Sequence, residues 1–311
     1  MKYFKNLFIV ALMSLTVLSG CSLPGLGGGA NDPVRITSLN TSESQIMAHM
    51  LRLLIEHDTD GEINPTIVNN LGASTVQHNA IVNGDANMSS TRYSGTELTG
   101  PLGQDPIANS EEALQVAQEE FHTQFEQKYF DSYGFDNSYA FMVTKETAEE
   151  YGLETVSDLE AHKDELDLGV DSSWLNRKGD GYPGFTDHYG FSFETVIPMQ
   201  IGLVYDALDN QSIDVSLGYT TDGRIAAYDL VVLEDDKEFF PAYDTSALAT
   251  EELLQKYPEL NGIIDKLKGK ISTEQMQQLN YKADGEGREP ALVAEEYLEE
   301  NDYFEDTEGG E

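Results

Sequence analysis

Val34-Arg35-Ile36-Thr37-Ser38 (VRITS), followed closely by Glu43–His57 (ESQIMAHMLRLLIEH), decides the fold class of this chain. The first run reads as a strand. The second places Ile46, Met47, Met50, Leu51, Leu54 and Ile55 on one face of a helix. A strand feeding an amphipathic helix is the opening unit of an α/β protein, and the alternation continues. Thr66–Asn69 is expected as a second strand, Ser74–Val82 as a helix and Ala86–Ser90 as a third strand. Glu111–Lys128 reads as a long helix with Leu114, Ala117, Phe121 and Phe125 aligned, and Tyr139–Val143 as a central strand. Ser157 with Glu160, and Ser272 with Gln275, fit capping boxes. Met199–Leu208 is expected as a helix, with Ile213–Gly218 and Val231–Leu233 as strands. Thr250–Lys256, Ser272–Asp284 and Pro290–Asn301 are expected as closing helices. In a chain of 311 residues, helices returning at the C-terminus suggest two lobes with a cleft between them.

The N-terminal segment carries a separate message. Lys2 and Lys5 precede an apolar run from Leu7 to Leu18, the layout of a secretory signal. Leu18-Ser19-Gly20-Cys21 resembles the lipobox of bacterial lipoproteins, and Cys21 is the only cysteine in the chain. That resemblance implies cleavage before Cys21 and a lipid on its sulfur. The alternative, an uncleaved membrane anchor, would need a run of about 20 apolar residues. Residues 21–32 follow as a Gly-rich flexible tether.

Composition excludes whole classes of partner. The formal net charge is -38, and loss of Lys2 and Lys5 leaves 16 basic residues against 56 acidic ones. Such a surface repels phosphate backbones, so nucleic acid is excluded. It repels anionic headgroups as well, which makes a lipid on Cys21 the natural membrane attachment. The acidity suits a salty or alkaline habitat or simply solubility.

The motifs of covalent chemistry are missing. There is no G-x-S-x-G elbow, H-E-x-x-H helix, C-x-x-C pair or phosphate loop. The six histidines, His49, His57, His78, His122, His162 and His188, are scattered. His49 and His57 are expected at the surface or at a boundary. Asp58–Glu62 (DTDGE) resembles the start of a calcium loop but lacks its later ligands, so a solvated turn is expected. No catalytic residue, cofactor or metal is expected.

Four of the 16 tyrosines stand apart. Tyr93, Tyr139, Tyr219 and Tyr243 each lie in a polar segment beside a strand end, where α/β sheets gather ligands. Rings there could form a box for a quaternary ammonium group, which offers no strong hydrogen-bond donor. Taken singly, each ring serves core packing equally well.

The runs Thr91–Gly95 (TRYSG), Asp131–Phe141 (DSYGFDNSYAF), Pro198–Ala207 (PMQIGLVYDA), Thr221–Ile225 (TDGRI) and Phe239–Asp244 (FFPAYD) resemble those of the substrate-binding lipoproteins of osmoprotectant ABC transporters. The similarity runs from about Val34 to Phe304. It implies two α/β lobes of the periplasmic-binding-protein type, joined by two crossing segments and closing on the ligand. The crossings are expected near Ser138–Phe141 and Ala227–Val231. The expected divisions are a signal peptide (1–20), the tether (21–32), a first lobe (33–138 and 231–304), a second lobe (139–230) and a disordered acidic tail (305–311).

By the same resemblance, Tyr93, Tyr139, Tyr219 and Tyr243 form a cage for glycine betaine, carnitine or choline. Choline-restricted relatives carry an aspartate where Thr96 stands. The neutral hydroxyl of Thr96 can donate to a carboxylate, which favours zwitterions. Relatives often offer a glutamine where this chain has Leu39, so Ser38, Asn40 or a backbone amide would have to replace it. The implied protein is a monomeric, extracytoplasmic solute-binding lipoprotein of Gram-positive type. Its partners are the permease and ATPase of an importer, and its task is osmoprotection. A receptor for another small polar solute and an exported hydrolase of choline-containing compounds are the competing readings. The hydrolase would need a nucleophile or metal site that the sequence does not offer. A structural or adhesive surface lipoprotein is a third reading, and the absence of repeats argues against it.

Overall fold

A computed structural model of the chain describes residues 34–176 and 181–305. The expected signal peptide, Cys21, the tether and the tail beyond Glu305 lie outside the described residues. The chain runs from β1 (Arg35–Leu39) through α1 (Ser42–Asp58), β2 (Thr66–Leu71), α2 (Ser74–Val82), β3 (Met88–Tyr93), α3 (Ser94–Thr99) and α4 (Ser110–Phe125) to β4 (Gln127–Asp136). It then crosses to β5 (Tyr139–Val143), α5 (Lys145–Tyr151), a 3-10 turn (Val156–His162), β6 (Leu168–Asp171), α6 (Ser172–Asn176) and α7 (Tyr182–Tyr189). Next come β7 (Val196–Met199), α8 (Val204–Asp209), β8 (Val215–Tyr219), α9 (Gly223–Ala227) and β9 (Val231–Val232). The return leads through β10 (Asp244–Thr250) to α10 (Glu251–Lys256), α11 (Leu260–Asp265), α12 (Thr273–Asp284) and α13 (Pro290–Glu300).

Two five-stranded sheets result, ordered β2-β1-β3-β10-β4 and β7-β6-β8-β5-β9. Each supports its own lobe and its own core. In the first lobe, the apolar stripe of α1 packs with residues of α11, α12 and α13. Fully burying a leucine or isoleucine is worth about 1.5–3 kcal/mol, so this stripe, with Thr41 capping the Ser44 amide, fixes α1 on its sheet. In the second lobe, Phe141, Trp174 and Phe185 are fully buried beside Phe240.

The lobes touch where α12 meets α9. Gly223 lies directly against the Tyr281 backbone; a Cβ there would sit 2.4 Å from the Tyr281 nitrogen.

Several elements depart from the sequence expectation. The helix expected over Glu111–Lys128 stops at Phe125, because Glu126 adopts a left-handed conformation at φ 54°. The following residues form β4, which pairs antiparallel with β10. Met199–Leu208 is not one helix. Pro198 and Met199 belong to β7, which pairs with β6, and helical geometry resumes as a 3-10 turn at Ile201. The capping box expected at Ser157 and Glu160 sits instead at Thr155 and Asp158, whereas Ser272 and Gln275 form theirs as expected. The return crossing lies beyond the expected Ala227–Val231. Val231 and Val232 still pair with β5, and Phe240 is still packed in the second core.

A tyrosine-lined candidate site between the lobes

The first lobe contributes the turn at the carboxyl end of β3. Tyr93 closes that strand and precedes α3; it is only 8% exposed. Beneath the turn, Arg92 and Glu97 form a fully buried ion pair at 2.6 Å, clamping the segment between them. Above it, the Ser94 hydroxyl donates to the Ala242 carbonyl (3.1 Å). Gly95 leaves room for the Tyr243 ring, since a Cβ there would lie 3.1 Å from the ring and 2.7 Å from the Ala242 oxygen. Tyr93 and Tyr243 therefore flank one turn.

The second lobe contributes the other pair. Tyr139 and Tyr219 face each other in the antiparallel β5–β8 register, with ring centroids 5.0 Å apart and hydroxyls 3.4 Å apart. Phe240 supports Tyr139 at 6.0 Å. Tyr219 is held by its backbone: its N–H donates to the Tyr205 hydroxyl (2.7 Å). Tyr205 can reach it because Gly218 has no side chain; a Cβ there would meet the Tyr205 oxygen at 2.6 Å. Arg224 covers the Tyr205 ring at 4.3 Å and pairs with Asp222. The conspicuous runs PMQIGLVYDA and TDGRI thus build the scaffold behind Tyr219.

The first crossing joins the two pairs. The Tyr243 N–H donates to Asp136 Oδ2 (2.6 Å), and the Asn137 N–H donates to the Tyr243 carbonyl (3.3 Å). The Thr220 hydroxyl donates to the Asp136 carbonyl (2.7 Å) and accepts from the Ser138 N–H (3.0 Å). Burial pushes the Asp136 carboxyl up to about 6.

Glu43, in the first turn of α1, lies under this junction. Its Oε1 accepts from the Tyr93 hydroxyl (2.7 Å) and from Asn137 Nδ2 (3.1 Å). Burial pushes the Glu43 carboxyl up, against the lowering effect of the bonds from Tyr93 and Asn137.

Thr96 sits half-buried in α3, one residue beyond Gly95. Leu39 is buried, and its N–H donates to the Ser44 hydroxyl (2.9 Å). The Ser38 hydroxyl donates to Asn69 Oδ1 (3.1 Å). Of the expected replacements for a glutamine, the Ser38 hydroxyl is therefore engaged, as is one backbone amide, that of Leu39, while Asn40 is exposed at the end of β1.

The Asp58–Glu62 segment is a turn in which Asp58 binds Lys266 (2.6 Å). Among the described residues, no three His, Cys, Asp or Glu side chains cluster to hold a metal ion.

Sequence reasoning did not single out Glu43, Asn137 or Tyr205. Spacing does place Glu43 three and four residues before Ile46 and Met47, on the face of α1 that is buried, and Glu43 itself is 3% exposed.

Residues 32–300 match the family model described as the substrate binding domain of ABC-type glycine betaine transport systems. The carnitine transport binding protein OpuCC of Listeria monocytogenes is 54% identical over 305 residues, 98% of each chain. A crystal structure described as a glycine betaine/carnitine/choline ABC transporter is similar at TM-score 0.86 and 65% identity, covering 88% of this chain and 100% of the other. The apo structure of YehZ from Escherichia coli shares the fold at TM-score 0.76 and 20% identity, over 86% of this chain and 98% of its own.

Proposed function

The chain belongs to the family of substrate binding domains of ABC-type glycine betaine transport systems, and from that premise we propose that it captures carnitine and glycine betaine, with choline tolerated, for import. Tyr93, Tyr139, Tyr219 and Tyr243 are the ligand-binding residues in this reading. The observation that carries it is the division of four rings into two pairs, one per lobe, joined at the first crossing. A trimethylammonium group has no N–H to satisfy, so aromatic faces suit it, each contact contributing about 0.5–2 kcal/mol. Rings on both lobes give the closed state more contacts than the open one, so ligand shifts the population toward closure.

Thr96 adjoins the Tyr93–Tyr243 turn and brings no charge, which suits a ligand carboxylate. Membership of a substrate-binding family favours this reading over a hydrolase. The extracytoplasmic side is the place for such a protein, with a lipid on Cys21 as its attachment to the membrane. A permease complex with its ATPase would receive the loaded, monomeric protein.

A thermal-shift panel of glycine betaine, carnitine, choline, ectoine and proline tests the reading. The three methylated ammonium compounds should raise the melting temperature. A response to proline or ectoine alone would refute the cage.

A further inference from the structure

Resting on that reading of the four tyrosines, we propose that Glu43 is the positioning residue of the cage: it aims the Tyr93 phenol and ties it to the first crossing between the lobes.

Glu43 is fully buried yet forms no ion pair among the described residues. Its second oxygen, Oε2, is buried without a hydrogen-bond partner. A buried carboxyl in that situation is costly unless its bonds accomplish something. All its bonds run to the cage or to the frame that holds it. Tyr93 comes from β3 and Asn137 from the first crossing.

The loop after Tyr219 is held next to this junction. Gln277 Nε2 donates to the Thr220 carbonyl (2.7 Å) and Asn280 Nδ2 to the Thr221 carbonyl (2.8 Å). Both bonds pass from the first lobe to the second. Glu43 joins a ring of the proposed cage to the first crossing beside this interlobe grip. An apolar residue of the same size would fill the space but leave the Tyr93 hydroxyl without its acceptor. The carboxyl therefore couples the first crossing, through Asn137, to the orientation of the Tyr93 ring.

Calorimetry with glycine betaine tests this on the purified protein and five variants: Glu43→Ala, Glu43→Gln, Asn137→Ala, Tyr93→Phe, and Glu43→Ala combined with Tyr93→Phe. Glu43→Ala should weaken binding about tenfold, the scale of one buried hydrogen bond to a charged or strongly polar group. Glu43→Gln, which still offers Oε1 to the phenol, should restore affinity to within about threefold. In the Tyr93→Phe background, Glu43→Ala should cost no more than about twofold, because the phenol it acts through is gone. Asn137→Ala, which removes the other bond to Glu43 Oε1, should weaken binding about threefold or more. It decides the matter alone if Glu43→Ala fails to fold, and unchanged affinity then overturns the proposal. Wild-type affinity in Glu43→Ala, or an equal loss in the phenylalanine background, also overturns it. Wild-type protein that binds none of betaine, carnitine and choline would overturn the cage itself, a different result from a binding protein indifferent to Glu43.

Discussion

Replacing Tyr219 with alanine isolates the contribution of one ring. Tyr219 is 37% exposed, the most open of the four cage tyrosines. Its removal should therefore disturb the ligand more than the fold. The lost attraction to a trimethylammonium group is about 0.5–2 kcal/mol, which corresponds to roughly a 2- to 30-fold rise in Kd. The ring pair with Tyr139 contributes about 0.5–1.5 kcal/mol to stability, so the melting temperature should fall by a few degrees at most. Tyr139 should stay in place, because Phe240 packs on it independently. Tyr219→Phe keeps the aromatic face and should remain within about threefold of wild type. Calorimetry with glycine betaine, carnitine and choline should give the same factor for all three, since they share the headgroup. Undiminished affinity in Tyr219→Ala would refute the reasoning. So would equal damage in Tyr219→Phe and Tyr219→Ala, because the face would then be irrelevant.

Three further outcomes follow from the same geometry. Gly223→Ala would place a Cβ 2.5 Å from Tyr281 Cα, a backbone atom that cannot swing aside; α9 and α12 must separate, so scattering should report a more open protein and calorimetry at least about tenfold weaker betaine binding. Glu97→Gln should lower the free energy of unfolding by about 3–5 kcal/mol in urea titrations, because it leaves Arg92 buried and charged without its partner; a loss below about 1 kcal/mol would contradict the pair's role. Asp136 is protonated more readily in the folded chain than in the unfolded one, its carboxyl being pushed up to about 6 from 3.8. The folded state then binds the extra proton between those values, so this group's contribution falls by about 3 kcal/mol as pH rises from about 4 to 6. Asp136→Asn should remove that slope from the urea midpoints, and an unaltered slope would show that the proton resides elsewhere.

Much of the architecture was legible because it is periodic. The stripe of α1, the run Ser74–Val82 and the strand Tyr139–Val143 appear within a residue of their expected limits, since local apolar spacing determines them. What escaped depends on partners distant in sequence. Gln127–Asp136 contains Lys128, Asp131, Ser132 and Gly134, and reads as polar. It is a strand because β10, more than a hundred residues later, supplies its hydrogen bonds. The return crossing was misplaced for the same reason: Val231–Val232 is too short to announce which sheet it joins.

The candidate site divides likewise. The four tyrosines stood out by their strand-end positions and by family likeness. Glu43 bonds to the Tyr93 hydroxyl and Tyr205 to the Tyr219 backbone, through long-range contacts whose partners spacing cannot reveal.

The most direct measurement is a crystal structure with glycine betaine bound. The account predicts the trimethylammonium carbon atoms within about 6 Å of the ring centroids of Tyr93, Tyr139, Tyr219 and Tyr243, with density for the carboxylate on the Thr96 side. A ligand seated away from those rings, or touching the rings of one lobe only, would contradict it.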